Sequence, residues 1–318
     1  MRSSLPTSEQ IENAAVGEQK SFLVLALVIM TQQIMGSLVY PIAKYGLTYI
    51  EPFTFAFYRY LLSAIVLLGI VKLMTHRLPI ERKDYKKIFL LGILIIPLNQ
   101  TLFLLGQSMT GAGHGAVIFS TTPIFVFLLA IIHLKEKLIW RRALGIVMAV
   151  GGVAVIMTGG AVKIGTDYLI GDAIIVVSVI AWAYYTIIGR DLVRKYGAIR
   201  VTAYALASGT VLYTPFGFIR ALHFDYTGVP LGAWGSVLYM SLALSGVVYV
   251  LWYWLLKHMD ASRVAVYHNV QPIIATVVAY LFLGEVITVT FIIGGGIVLA
   301  GVIISEIGAG RKARAAVP

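Results

Sequence analysis

The 318-residue sequence contains no cysteine, which excludes disulfide bonds and thiolate metal sites and gives no information on the redox compartment. Charged residues are also scarce, at 12% of the chain, whereas a soluble domain carries about 25%. Hydrophobic residues make up 59%. Because so few charged side chains cannot cover a water-facing surface, we expect the lipid bilayer to be the solvent of an all-α integral membrane protein.

Acidic residues are fewer than basic ones, 14 against 25, which gives a formal net charge of +11. A strongly basic chain is typical of nucleic-acid binding. In membrane proteins, however, lysine and arginine collect in cytoplasmic loops as topology signals. The positions of the basic residues fit that second use, so we predict no nucleic-acid partner.

Ten apolar segments follow one another, each near the ~20 residues that a bilayer-crossing helix needs. Residues 1–20 are polar and predict a disordered cytoplasmic arm, and residues 309–318 predict a basic cytoplasmic tail. The ten predicted spans, numbered in chain order, are residues 21–42, 53–74, 87–107, 112–133, 142–160, 171–189, 201–221, 233–256, 262–283 and 289–308.

The chain contains an internal repeat. The stretch Ala112–Val153 has a proline-broken apolar helix, an acidic turn and a glycine-spaced helix, and the same plan recurs over Ala261–Val302. We therefore predict two copies of one unit. At a constant offset of 149 residues, Pro123 matches Pro272, Glu136 matches Glu285, Gly145 matches Gly294 and Gly152 matches Gly301.

Each copy holds five predicted spans, over residues 21–160 and 171–308. Because five is odd, the second copy starts on the other side of the membrane, and the repeats are inverted. With the N-terminus inside, 20 of the 25 Lys and Arg residues lie in inside segments and three in outside segments. This bias predicts a multi-pass inner (plasma) membrane protein with both termini in the cytoplasm.

The stretch GSLVYPIAKYGLTYIEPFTFAFYRYLLSAIVLL carries Gly36, Lys44, Pro52 and Arg59 in the pattern of a known opening helix pair. Together with the paired proline-acid segments, it resembles the drug/metabolite transporter superfamily and, within it, the EamA-type family. The resemblance covers nearly the whole chain, although Met35 stands where many members have Trp. It implies a carrier of small metabolites, often an exporter of amino acids, with helices 1, 3, 4, 6, 8 and 9 around a central path.

Polar and aromatic residues inside the spans mark the candidate path, since an unpaired polar group in hydrocarbon costs several kcal/mol. Prolines predict helix breaks at Pro97, Pro123 and Pro272, and the last two are repeat-equivalent, as expected of a site near the membrane midplane. Packing kinks and interhelical hydrogen bonds are the alternative. The predicted substrate-binding residues are Gln33, Asn99, Gln100, Thr121, Thr122, Trp182, Tyr185, Tyr249, Tyr267, His268, Asn269 and Gln271.

Arg59 is a fixed charge within span 2, and it needs water or a partner because guanidinium cannot be neutralised. It could bind a substrate carboxylate, but we favour a structural role. Glu136 and Glu285 are also predicted to have mainly structural roles, in which they bond neighbouring helix ends. No carboxylate lies deep in a span, so facilitated exchange is at least as well supported as proton coupling through His114 or His268.

The sequence thus predicts a secondary, non-ATP transporter of amino acids or related metabolites that works by alternating access, as an exporter or facilitator. A nucleotide-sugar, sugar-phosphate or cationic-drug exchanger of the same superfamily is the alternative. An intramembrane enzyme would need a metal-ligand or catalytic cluster that the histidines and carboxylates do not form. We expect no cofactor or metal, and a monomer or a homodimer through the glycine-rich spans 5 and 10.

Overall fold

The computed structural model describes residues 8–74, 79–110, 115, 118–158, 169–274, 277 and 289–314. Every regular element in this part of the chain is helical. The helices are α1 Ser8–Ser37, α2 Val39–Tyr49, α3 Pro52–Leu73, α4 Tyr85–Ile93, α5 Leu102–Met109, α6 Thr122–Leu134, α7 Trp140–Thr158, α8 Leu169–Tyr196, α9 Ala198–Leu222, α10 Leu231–Tyr239, α11 Tyr249–His258, α12 Ala261–Val266 and α13 Val289–Arg314.

Continuous helical stretches in the described residues are long and apolar enough to cross a membrane. Five qualify by length and composition, and two shorter apolar stretches, Ile118–Leu134 and Ile292–Ser305, accompany them. Large hydrophobic side chains such as Leu27, Ile132 and Ile303 are more than half exposed, as expected of a lipid-facing surface. The protein is an all-α multi-pass membrane protein, and the count of ten spans stays a prediction. The five qualifying stretches are Leu23–Tyr49, Pro52–Leu73, Arg82–Met109, Leu169–Tyr196 and Leu231–His258.

Two of these stretches, Arg82–Met109 and Leu231–His258, have 28 residues each, and both their starts and their ends lie 149 residues apart. Each contains a π-helical segment in its middle, Leu94–Thr101 in the first and Met240–Val248 in the second. Pro97 lies in the first of these segments, where its missing N–H interrupts the regular ladder. Widened turns of this kind frequently occur at functional sites.

The prolines of the repeated segments also stand beside irregular backbone. A turn at Thr121 interrupts the helix just before α6, and Pro123 lies in the first turn of α6. A 3₁₀ segment, Tyr267–Val270, directly precedes the helical residues 271–274, which include Pro272. Helical geometry therefore changes beside Pro97, Pro123 and Pro272, and helix breaks that serve a binding site stay a prediction.

The glycines of α7 and α13 bring these two helices into backbone contact within one chain. A Cβ on Gly145 would lie 2.5 Å from the carbonyl oxygen of Gly301, and one on Gly152 would lie 2.6 Å from that of Gly294. Each glycine thus faces the repeat equivalent of the other, which is the contact pattern of a two-fold axis. Close packing within the monomer accounts for these small residues, and a homodimer stays a prediction.

Candidate functional site

A cavity lies among the helices that the family resemblance assigns to the central path. The empty space there measures about 470 Å³, and part of it is open to the surroundings. The cavity brings together both repeats, and its wall is mostly apolar and aromatic. Its lining residues are Gln32, Gly36, Val39, Tyr40, Gln100, Phe103, Phe119, Trp182, Leu244, Val248, Tyr249, His268 and Gln271.

Gly36 shapes one wall of the cavity. A Cβ at this position would lie 2.6 Å from the amide nitrogen of Gln271, so the glycine allows the Gln271 side chain to reach α1. Glycine is used here for close approach. The two halves of the chain therefore meet at the cavity wall.

Aromatic rings form the opposite wall, centred on Trp182 of α8. The ring centroid of Trp182 lies 5.2 Å from that of Tyr249, 5.4 Å from that of Trp252 and 6.3 Å from that of His268. The His268 ring meets Trp252 edge to face at 4.6 Å. Such a surface suits a ligand with an aromatic or other apolar portion.

Several buried polar atoms of residues that line the cavity have no hydrogen-bond partner in the described part of the chain. They are Nε2 of Gln32, Nε1 of Trp182 and both ring nitrogens of His268. All three side chains are at least nine-tenths buried. Since buried polar groups in folded proteins are almost always paired, these atoms are available to a ligand or to water.

Arg59 lies directly behind the cavity wall and is fully buried. Its Nη2 donates to Oε1 of Gln100 at 2.7 Å, to Oγ of Ser245 at 3.2 Å and to the Tyr249 hydroxyl at 3.4 Å. Its Nη1 has no partner in the described residues. Two of its partners, Gln100 and Tyr249, line the cavity.

Gln100 and Asn99 continue this hydrogen-bond network away from Arg59. Because guanidinium only donates, it fixes the Gln100 oxygen on its side, and the Gln100 amide then donates to Oδ1 of Asn99. Nδ2 of Asn99 donates to the carbonyl oxygen of Ser178 at 2.8 Å. The two amides thus join three helices, which matches the alternative of interhelical hydrogen bonding for Asn99.

Five of the twelve predicted substrate-binding residues line the cavity, namely Gln100, Trp182, Tyr249, His268 and Gln271. The other seven lie elsewhere. Thr121 and Thr122 donate to the carbonyl oxygens of Ile118 and Phe119 and thereby cap the helix break. The side chains of Asn99 and Gln33 donate hydrogen bonds to Ser178 and Gln32, respectively. The ring of Tyr185 stacks on that of Tyr253. Tyr267 and Asn269 are the sequence neighbours of His268, and neither lines the cavity.

Gln32, rather than Gln33, faces the cavity, and the sequence contains a signal for this. Gln32, Gly36, Val39 and Tyr40 are spaced as one helical face, and all four line the cavity. Sequence reasoning based on polar residues alone also missed the apolar lining at Phe103, Phe119, Leu244 and Val248. His114 and Glu285 lie outside the described residues.

A cluster of four charged side chains lies at one end of the helix bundle. We define the charge cluster as Glu136, Arg142, Arg190 and Asp260. Arg190 donates to Glu136 at 2.8 Å and to Asp260 at 3.2 Å, and Arg142 approaches the same two carboxylates at 3.4 and 3.3 Å. Both arginines are more than nine-tenths buried. On α8, eight residues separate Trp182 from Arg190, so the cluster lies about 12 Å from the cavity along that helix.

The charge cluster joins the two repeats. Glu136 follows α6 in the first repeat, and it accepts hydrogen bonds from the backbone N–H of Ala261 at 3.0 Å and from the Ser262 hydroxyl at 2.6 Å. Ser262 also accepts from Arg142 at 2.6 Å. The expected structural role of Glu136 at a helix end is therefore evident in its contacts.

Lys44 lies on α2 beyond the cavity. Its Nζ donates to the carbonyl oxygen of Thr110 at 2.8 Å, at the C-terminal end of α5. A cation is favourable at this end of a helix because the last carbonyl groups lack intrahelical partners. Its contact is with the protein backbone rather than with the cavity.

Comparison with known proteins adds the following. The model of the EamA-like transporter family matches the chain twice, over residues 23–158 and 169–306. An uncharacterized transporter of Archaeoglobus fulgidus is 30% identical over 90% of this chain and 98% of its own. A Streptantibioticus cattleyicolor protein named "Probable terminal-alkyne amino-acid exporter" is 28% identical over 74% of this chain and 78% of its own. One crystal structure shares the fold, with a TM-score of 0.71 at 15% identity, over 90% of this chain and 99% of that one.

Proposed function

Because the chain belongs to the EamA-like transporter family, we propose that it carries amino acids or related small metabolites across the inner membrane without ATP. It is a multi-pass membrane transporter of the drug/metabolite transporter superfamily. The substrate class is supported by the Streptantibioticus relative, whose name specifies amino-acid export. Net export is the direction that this relative favours.

One observation carries the proposal: a cavity with an aromatic wall is lined by hydrogen-bonding atoms of Gln32, Trp182 and His268 that have no partner among the described residues. Such a cavity suits a small molecule that has both polar and apolar portions. Gln271 of the second repeat adds an amide to the cavity wall. The seven predicted residues that do not line the cavity act by shaping the surrounding helices.

Alternating access is the transport mechanism that we propose. The two matches to the family model support two structural repeats, over residues 21–160 and 171–308, that rock about the cavity. With both termini in the cytoplasm, the charge cluster lies at the cytoplasmic end. In this state it closes that end, and its ion pairs separate when the cavity opens to the cytoplasm.

Transport into proteoliposomes tests this function. Purified protein is offered a panel of labelled amino acids, with and without an imposed pH gradient. We expect saturable uptake, which His268→Ala abolishes and Trp182→Phe weakens about tenfold through the loss of one hydrogen bond. Trp254→Phe is the matched control, since Trp254 packs on His258 away from the cavity.

Dependence on the pH gradient would indicate proton coupling, and its absence would indicate facilitated exchange. If folded protein transports none of the amino acids, the proposed substrate class is wrong. If both cavity variants transport like the unmodified protein, the proposed binding site is wrong, whereas the proposed transport function stands.

A further inference from the structure

Arg59 is a buried positive charge without a counter-charge in the described part of the chain. It has no carboxylate within ion-pair distance there, and its hydrogen bonds go to the neutral groups of Gln100, Ser245 and Tyr249. Its Nη1 is buried and unpaired among the described residues. A guanidinium at this depth keeps its charge, so the surroundings carry an uncompensated positive potential.

This potential reaches the cavity because the groups bonded to Arg59 form part of the wall. The side chains of Gln100 and Tyr249 each contact the Arg59 guanidinium and also line the cavity, so a single side chain lies between the charge and the cavity. Within a membrane protein the medium between them screens charge far less than water does. The field of Arg59 therefore attracts an anion into the cavity and repels a cation.

The unpaired atoms on the wall favour the same sign of charge. The indole Nε1 of Trp182 and the amide Nε2 of Gln32 are donors without a partner among the described residues. Neutral His268 offers one donor and one acceptor nitrogen, so it can donate to an anion but does not itself select for one. The Gln32 oxygen already accepts from Gln33. None of the described lining residues is acidic, so a cationic group entering the cavity meets no carboxylate.

We infer that the cavity recognises its substrate by an anionic group, a carboxylate, attached to an apolar body, and that Arg59 sets this preference from behind the wall. This inference rests on the proposed function and names the substrate class of the same site. The carboxylate accepts from Trp182, Gln32 and His268, while the apolar body packs on the aromatic wall. The amino group of an amino acid contributes less, so carboxylates without an amine bind as well as amino acids do.

A competition assay tests the inference with three related probes. Labelled phenylalanine is bound to detergent-solubilised protein and displaced by 3-phenylpropionate, which lacks the amine, or by phenethylamine, which lacks the carboxylate. We expect 3-phenylpropionate to compete at least 100-fold better than phenethylamine. Equal competition by the two probes would overturn the inference.

Variants separate the charge of Arg59 from its packing. Arg59→Gln is expected to reduce the 100-fold preference to below tenfold, Arg59→Lys to retain most of it, and Arg220→Gln, a control at a half-exposed arginine on α9, to keep it. A preference unchanged in folded Arg59→Gln would overturn the role of Arg59. A merely structural arginine would change all affinities together and leave their ratio unaltered.

Trp182→Phe keeps the test decisive if Arg59→Gln does not fold. This variant removes one donor, and we expect the affinity for 3-phenylpropionate to fall about tenfold while that for phenethylamine is unchanged. Equal losses for both probes would contradict carboxylate recognition. Failure of phenylalanine, both analogues and every other amino acid of the transport panel to bind folded protein would overturn the proposed substrate class itself.

Discussion

Replacing Arg190 with methionine is expected to open the passage at the charge cluster. Methionine has a similar reach but no charge and no hydrogen bonds. The change removes the contacts of Arg190 with Glu136 at 2.8 Å and with Asp260 at 3.2 Å, leaving Arg142 to face both carboxylates. The substitution destabilises the closed state only, because in an open state Arg190 and the two carboxylates would be hydrated and would not pair.

The size of the effect follows from burial. Arg190 is 6% exposed, and removing one partner of a buried ion pair costs about 3–5 kcal/mol. The lower end of this range applies here, because Arg142 still faces Glu136 and the Asp260 side chain is half exposed. A difference of about 3 kcal/mol changes an equilibrium more than 100-fold. A state in which about 1% of molecules are open at this end would then become mostly open.

The absence of native cysteine makes the assay direct. A single reporter, Val248→Cys, lines the cavity, where Val248 is 3% exposed. A membrane-impermeant maleimide is applied to vesicles of each orientation. We expect the labelling rate from the side of the charge cluster to rise at least tenfold when Arg190→Met is added.

Arg194→Met is the matched control, because Arg194 lies one turn further along α8 and is exposed. It should leave the labelling rate unchanged, and Arg190→Lys should give an intermediate rate because lysine lacks the forked geometry. If folded Arg190→Met protein labels at the unmodified rate from both sides, the charge cluster does not hold this end closed.

The remaining predictions concern packing, orientation and surface charge. Gly301→Leu should lower the stability by about 1–3 kcal/mol or more in thermal unfolding followed by tryptophan fluorescence, because its Cβ would lie 2.6 Å from a backbone oxygen of Gly145. Gly296→Leu, with open space around its Cβ, is the control, and equal losses would contradict the close contact of α7 and α13. Single cysteines at Lys137 and Asp225 should label from opposite faces, Lys137 from the cytoplasm, and labelling from one face would refute the orientation. Arg220→Met should leave the unfolding temperature nearly unchanged, since its pair with Glu51 is half exposed and screened by solvent, and a large shift would refute that.

The sequence was a good guide to the fold because the relevant signals are local. Apolar length and the proline positions are read directly along the chain. The glycine spacing of spans 5 and 10 indicated close helix packing but left open whether the contact lies within one chain or between two. The glycine partners were less obvious, since the repeat offset relates Gly145 to Gly294 but the contact is with Gly301. That exchange is a property of the two-fold arrangement in space.

The site was less predictable because its chemistry depends on the rotation of each helix. The two adjacent glutamines, taken by themselves, do not show which of them faces a cavity. Only their helical spacing relative to Gly36 and Tyr40 indicates that it is Gln32. Asn99 and Gln100 have equally polar side chains, yet one binds Ser178 and the other lines the cavity. The position of Arg59 behind the wall depends on contacts with residues 41 and 186 positions away, which no local pattern reveals.

The repeat also implies that the charge cluster has no counterpart of the same composition in the equivalent positions of the other repeat. At the offset of 149 residues, Glu136 of the charge cluster corresponds to Glu285, but Arg142 corresponds to Phe291 and Ser262 to Gly113. The repeat equivalents therefore keep one carboxylate and lose its arginine and hydroxyl partners, so they cannot form the same set of ion pairs. Ion pairs that are buried when closed and hydrated when open respond to salt and to charge removal, whereas apolar packing does not. High salt should then favour opening at the charge-cluster end alone, and an equal effect on reporter labelling from both sides would refute this asymmetry.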